Sequence, residues 1–293
     1  MNKAETLLND SARAASRLPP LLAEAERVAM GVIAGGHGRK RPGPGDSFWQ
    51  FREYVAGDEP RSINWRKSGR GDRILVRENE WAASQSVWLW RDASPSMQFR
   101  LHERLPTKRH RAEVLLLALG FLLARGGERM AAIGEDASPT GGKPAVARIA
   151  AHLVHDASGA SDLPEPKHDI AAGSHVVLIG DFLYPAENYR PFLAELANRA
   201  CRGVLVQVLD PAETKFPYRG RIDARGAEND GRTVLPRAEN LREAYLGRLA
   251  AHRAELSALA RGLGWDFVVH DTSEDIHAPL LAIHKHLAGR AGK

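Results

Sequence analysis

The feature that most constrains this chain is an alternation that begins near residue 84. Apolar runs, "SVWLWRD", "RMAAIG", "HVVLIGD", "GVLVQVLD" and "GWDFVVHD", alternate with longer segments of helical character. A run that is apolar at nearly every position belongs to a strand buried on both faces. That is the condition of a parallel sheet covered by helices. Right-handed crossovers then wind those helices onto the two faces. The expected fold class is therefore α/β, a doubly wound, mostly parallel, Rossmann-like sheet over residues 84–290. In such a sheet ligands bind beyond the carboxyl ends of the strands.

Two segments precede the alternation. Residues 1–34 read as helical, with a break expected at Pro19-Pro20 because proline removes a backbone donor. Residues 35–83 are rich in Gly, Pro and Arg with interleaved aromatics, and short extended pieces are expected near "SFWQFREY" and "RILVRENEW". They read as an extended segment that packs on the main domain. Later, "PAETKFPYRGRIDARGAENDGRTVLP" reads as an irregular insert.

With 293 residues, 43% hydrophobic and 26% charged, the chain can bury a sizeable core. Its one cysteine, Cys201, excludes an internal disulfide and a four-cysteine zinc site, and reads as a small buried hydrophobe. The longest apolar run, "VLLLALGFLLA", falls short of the roughly 20 residues that span a bilayer, and charged residues bracket it. No compact apolar leader with a cleavage site is evident. A soluble, cytoplasmic protein without a transmembrane segment is expected. The net charge of +5 favours acidic partners. The basic residues are interspersed with acids, however, so nucleic acid is the less favoured partner.

The strand ends carry the chemistry. The first apolar run stops at Asp92, and Ser94 and Ser96 follow at alternate positions; later runs stop at Asp181, Asp210 and Asp271. A carboxylate and two hydroxyls on a tight loop offer hard oxygen ligands. Mg²⁺, or Mn²⁺, takes about six oxygens, at about 2.0–2.1 Å for Mg²⁺. Asp181 would add a second carboxylate. The plainer alternative is that a serine caps a following helix while Asp92 accepts backbone amides. No H-E-x-x-H pair, phosphate-loop lysine or G-x-S-x-G elbow is present, so no enzyme is expected. His284 and His286 cannot share a helix face and read as solvated.

This region resembles a von Willebrand factor A-type domain, whose metal-ion-dependent adhesion site begins with a D-x-S-x-S loop. By that resemblance Asp92, Ser94 and Ser96 are metal ligands, with Asp181 nearby and Thr140, or Ser138 in the same loop, completing the set. A second resemblance lies upstream. "REYVAGDEPRSINWRKSGRGDRILVRENE" is similar to the signature of the bacterial domain of unknown function 58 family. Tyr54, Gly57, Asp58, Arg61, Ile63, Trp65, Arg66, Ser68 and Arg70 match it, and Asn64 replaces the usual Asp. Physically, Gly57-Asp58 suits a turn, and Trp65 is large enough to anchor the segment.

The resemblance implies a non-enzymatic interaction adaptor. Its implied partner is a MoxR-type AAA+ ATPase, alongside membrane-bound A-domain proteins, in a chaperone-like assembly system. Two alternatives remain open. One is a nucleic-acid-binding module using Arg39, Lys40, Arg41 and the basic 61–73 stretch with Trp65. The other is a metal-dependent hydrolase acting through the aspartates.

Overall fold

The computed structural model describes residues 3–35, 48–55, 63–69, 73–79, 86–155, 163, 170–227 and 231–289. The elements are, in order, α1 (Lys3–Gly35), β1 (Phe48–Glu53), α2 (Trp65–Ser68), β2 (Leu75–Asn79), β3 (Ser86–Arg91), α3 (Lys108–Gly126), β4 (Arg129–Ala132), β5 (Thr140–Gly141) and α4 (Gly142–His155). They continue as β6 (His175–Gly180), α5 (Ala186–Asn198), β7 (Arg202–Leu209), α6 (Pro211–Lys215), β8 (Ile222–Arg225), β9 (Arg232–Leu235), α7 (Arg242–Gly262), β10 (Asp266–Asp271) and α8 (His277–Gly289). The chain divides into two compact units, residues 1–36 with 85–293, and residues 37–84.

In the larger unit six strands form one sheet in the order β10-β7-β6-β3-β4-β5. All neighbours are parallel except β5, which pairs antiparallel with β4 at the edge. Counted along the chain, the six strands lie in the order 3-2-1-4-5-6, so the direction of winding reverses between β3 and β6. A reversal of this kind leaves a crevice at the carboxyl ends of the two central strands.

The side-chain period of two sorts the strands onto two cores. Val87, Leu89, Val177, Ile179, Val204 and Val206 face α1, α3, α4 and α8. Trp88, Val176, Leu178 and Leu205 face the other way, onto Leu193, Leu196, Leu256 and Trp265. One close approach needs glycine. A Cβ at Gly203 would lie 2.5 Å from the Trp265 ring and 2.7 Å from the Val176 carbonyl oxygen.

Helix α1 runs unbroken through Pro19 and Pro20, contrary to the break expected from the sequence. Leu21, Ala25 and Ala29 recur every fourth residue and are buried in the first core. That packing outweighs the loss of backbone bonds at the two prolines. The insert after β7 is also more regular than its sequence suggests. It holds α6 and an antiparallel β8–β9 hairpin, bridged across its two strands by Arg232 and Asp223. His286, expected in solvent, is buried at its side chain and pairs through Nδ1 with Asp266.

In the smaller unit β1 and β2 pair antiparallel. Asn64 N donates to Leu75 O at 2.8 Å, and Ser68 Oγ donates to Asn64 O at 2.9 Å while accepting from Leu75 N at 2.9 Å. Asn64 and Ser68 thus tie the α2 turn to the start of β2. Tyr54, Trp65 and Arg66 are exposed. Gly57, Asp58, Arg61 and Arg70, together with Arg39, Lys40 and Arg41, lie outside the described residues.

Candidate functional site

The carboxyl ends of β3 and β6 lie side by side at the switch point. Asp92 follows β3, its amide N donating to Ile179 O at 2.8 Å. One carboxylate oxygen, Oδ1, accepts the Ser94 amide at 2.8 Å, the local turn that an aspartate makes with the residue two ahead. Ser94 then starts a 3₁₀ turn, Pro95–Gln98, without capping it through its side chain. Its hydroxyl instead lies 3.0 Å from that of Ser96. Across the crevice Ser96 Oγ donates to Asp181 Oδ2 at 2.6 Å. Gly180 permits this approach, because a Cβ there would lie 2.9 Å from Asp92 Cβ.

A residue that the motif reading missed completes the centre. Lys108 opens α3, just after the N-cap Thr107. Its ammonium donates to Asp181 Oδ2 at 2.8 Å and to Glu213 Oε1 at 2.6 Å, and its side chain is 1% exposed. Glu213 is held in turn by a capping box on α6. Asp210 Oδ1 accepts from Ala212 N, and Glu213 Oε2 accepts from Asp210 N, both at 2.8 Å. The sequence carried a weak signal of each residue. "DPAE" has capping-box spacing. "TKRHR" puts a cation at a helix N-terminus, where the helix dipole disfavours it.

Burial sets the protonation energetics. Desolvation, with the neighbouring Asp181 charge, pushes the Asp92 carboxyl up to about 6. Burial opposes the Lys108 ammonium, but the carboxylates of Asp181 and Glu213 more than offset it, and the net direction is upward. Burial likewise raises Glu213, against the pull of Lys108.

The loop after Asp181 is held rigidly. Phe182 has φ 47°, a left-handed backbone that a non-glycine residue adopts only under constraint. The constraints are visible. His252 Nε2 lies 2.6 Å from Phe182 O, the Phe182 ring packs edge-on against Tyr189 at 5.4 Å, and Tyr184 N donates to Tyr189 Oη at 3.0 Å. Phe216, with φ 44°, closes α6 and packs on Tyr218 and Tyr245.

Between these two turns lies a cavity of about 470 Å³. Ser96, Lys108, Asp181 and Glu213 form its polar part, and Leu183, Tyr184, Phe216 and Tyr245 are among its apolar walls. Leu183 and Tyr184 are 41% and 38% exposed, an apolar lip at the sheet edge.

Two of the oxygens that the resemblance assigns to Mg²⁺ or Mn²⁺ are already engaged within the protein. A hard cation needs several oxygens converging on open space. Here Asp181 Oδ2 is taken by an ammonium and a hydroxyl, and Asp92 Oδ1 by an amide. Thr140 is not brought to the site at all. It pairs with Met130 on edge strand β5, level with Val87 at the amino end of β3. Asp92 lies beyond the carboxyl end of the same strand, five residues on, or ~16 Å at about 3.3 Å per residue. Among the described residues no group of three or more His, Cys, Asp or Glu side chains is arranged to hold a metal ion. Nor is any described helix long and apolar enough to cross a membrane.

The uncharacterized protein Rv1480 of Mycobacterium tuberculosis is 27% identical over 285 residues, an alignment covering 91% of this chain and 87% of that one. The uncharacterized protein Mb1516 of Mycobacterium bovis matches to the same extent, 27% over 285 residues. Among solved structures, the conserved hypothetical protein BatB from Bacteroides thetaiotaomicron matches 72% of this chain and 100% of its own, at 17% identity and a TM-score of 0.41. An aerotolerance-related membrane protein from Bacteroides fragilis matches 70% of this chain and 100% of its own, at 14% identity and a TM-score of 0.41. The family model described as "Protein of unknown function DUF58" matches residues 50–255, and the chain is a member of that family.

Proposed function

We propose that the chain is a non-enzymatic, cytoplasmic interaction adaptor with a von Willebrand factor A-like fold, and that its partner docks at the carboxyl edge of the sheet. The observation that carries this reading is the cavity at the switch point, with its apolar lip of Leu183 and Tyr184 above a buried charged floor. Exposed apolar groups beside a concave polar centre are the composition of a recognition site. The D-x-S-x-S loop at the switch point of a mostly parallel six-stranded sheet supports the A-like reading. By family resemblance the partner is a MoxR-type AAA+ ATPase, with membrane-bound A-domain proteins in the wider assembly.

The test uses a purified MoxR-type ATPase from the same genome, loaded with nucleotide, and biolayer interferometry. The intact chain is expected to bind. Leu183→Asp and Tyr184→Ala should each weaken binding by roughly tenfold or more, as expected for an interface anchor, with an unchanged circular dichroism spectrum. Failure of the intact chain to bind any such ATPase of its host, or equal binding by both variants, removes the proposal.

A further inference from the structure

We infer that Lys108 is the resident cation of the strand-end site, standing where the resemblance puts a divalent metal ion, so that the site assembles without metal.

Three observations carry this. The ammonium lies 2.8 Å from Asp181, which also accepts from the Ser96 hydroxyl, and 2.6 Å from Glu213. Second, its position is costly unless the charge is used. Lys108 stands at the first turn of α3, where the unpaired amides favour anions and disfavour cations. It is also buried, and burial opposes the charged form. Only the paired carboxylates reconcile the two. Third, the surrounding groups are arranged for a hydrogen-bonding cation rather than a metal. Ser96 directs its hydroxyl proton at Asp181 Oδ2, the oxygen that also accepts from Lys108. A divalent ion bound at Asp181 Oδ2 would have to compete with the ammonium for that oxygen, against the repulsion of like charges.

A metal-dependent adhesion site is completed by a carboxylate from its partner, which fills the open coordination position. In this chain Glu213 already supplies a carboxylate to the cation, from within the molecule and fixed by the α6 capping box. The cation is therefore already paired within the molecule. Docking at the edge does not draw on metal coordination, whichever partner takes the cavity.

The experiment is Mn²⁺ binding followed by electron paramagnetic resonance on the full chain, with melting temperature measured in Mg²⁺ and in chelator. The wild-type chain should leave the free Mn²⁺ signal unaltered and melt at the same temperature in both buffers. Lys108→Ala, which removes the ammonium and opens its space, should gain Mn²⁺ binding at least roughly tenfold tighter than wild type. Adding Asp181→Asn should abolish the gain. If Lys108→Ala does not fold, Lys108→Gln, which keeps a donor on a slightly shorter chain but drops the charge, carries the same comparison. Wild-type Mn²⁺ binding that Asp181→Asn abolishes would overturn the inference. A folded charge-free variant that still ignores Mn²⁺ would overturn it equally.

Discussion

Arg17 of α1 and Glu113 of α3, 96 residues apart, are joined by a 3.1 Å hydrogen bond from the guanidinium to Glu113 Oε2. Glu113 is fully buried, and its other oxygen accepts from Arg109 Nε at 2.8 Å and lies 3.6 Å from Arg91. Arg91 and Arg109 also donate to the Leu153 carbonyl, at 2.8 and 3.3 Å. One carboxylate thus gathers three guanidinium groups from α1, β3 and α3 beside the end of α4.

Removing that carboxylate leaves buried positive charge without its counter-ion. Glu113→Ala is expected to cost about 3–5 kcal/mol. Urea unfolding should show a lower midpoint with little change in slope. Arg17→Ala, at the half-exposed end, should cost less than about 1 kcal/mol.

Glycine positions test the close approaches. Gly203→Ala forces a Cβ into the Trp265 ring and the Val176 backbone, and should cost about 3 kcal/mol, the upper range for overpacking. Gly180→Ala pushes instead on Asp92 and should disturb the β3 loop. Chemical-shift changes centred on Ser94 and Ser96 are the expected readout. The same spectrum for Gly180→Ala and wild type would contradict the packing described.

His270 supplies a pH dependence with a definite sign. It is 1% exposed, and its buried Nε2 has no hydrogen-bond partner among the described residues. Burial first, and Arg111 second, lower its pKa from 6.5 to about 4. Between those values the unfolded chain binds a proton that the folded chain does not. Stability from this group is therefore complete above pH 6.5 and falls with pH toward about 4, by up to about 3 kcal/mol. Asp92, pushed up to about 6, acts in the opposite sense, since its buried carboxylate is relieved by protonation. The comparison is therefore between wild type and His270→Leu. The variant should lose the stability less steeply between pH 6.5 and 4.

Cys201 should behave as an inert core residue. It is 3% exposed, and burial raises its thiol pKa. Ellman's reagent should react with it only as fast as the chain opens, and at once in denaturant. Rapid reaction of the native chain would contradict its placement.

The sequence alone determined the α/β class of the fold and which strand ends carry carboxylates. Strands buried on both faces must be apolar at nearly every position, so "HVVLIGD" and "GVLVQVLD" declare themselves without reference to any neighbour. For the same reason, a carboxylate such as Asp92 or Asp181 where an apolar run stops marks a strand end. The two extended pieces near "SFWQFREY" and "RILVRENEW" were legible too, although not their antiparallel pairing.

Only the tertiary structure decided which strand ends meet and what stands between them. Strand order depends on crossovers that no local pattern records, and it is this order that sets Asp92 beside Asp181 and leaves Thr140 at the far end of the sheet. Lys108 lies 73 residues from Asp181 and 105 from Glu213. In the sequence it is one basic residue among several in "TKRHR". Helix α1 passes through Pro19-Pro20 for a related reason: local propensity argues for a break, and the burial of Leu21, Ala25 and Ala29 overrides it. Buried charge follows the same rule. An ammonium or a guanidinium can leave water only where distant carboxylates converge on it, and that convergence exists only in the folded chain.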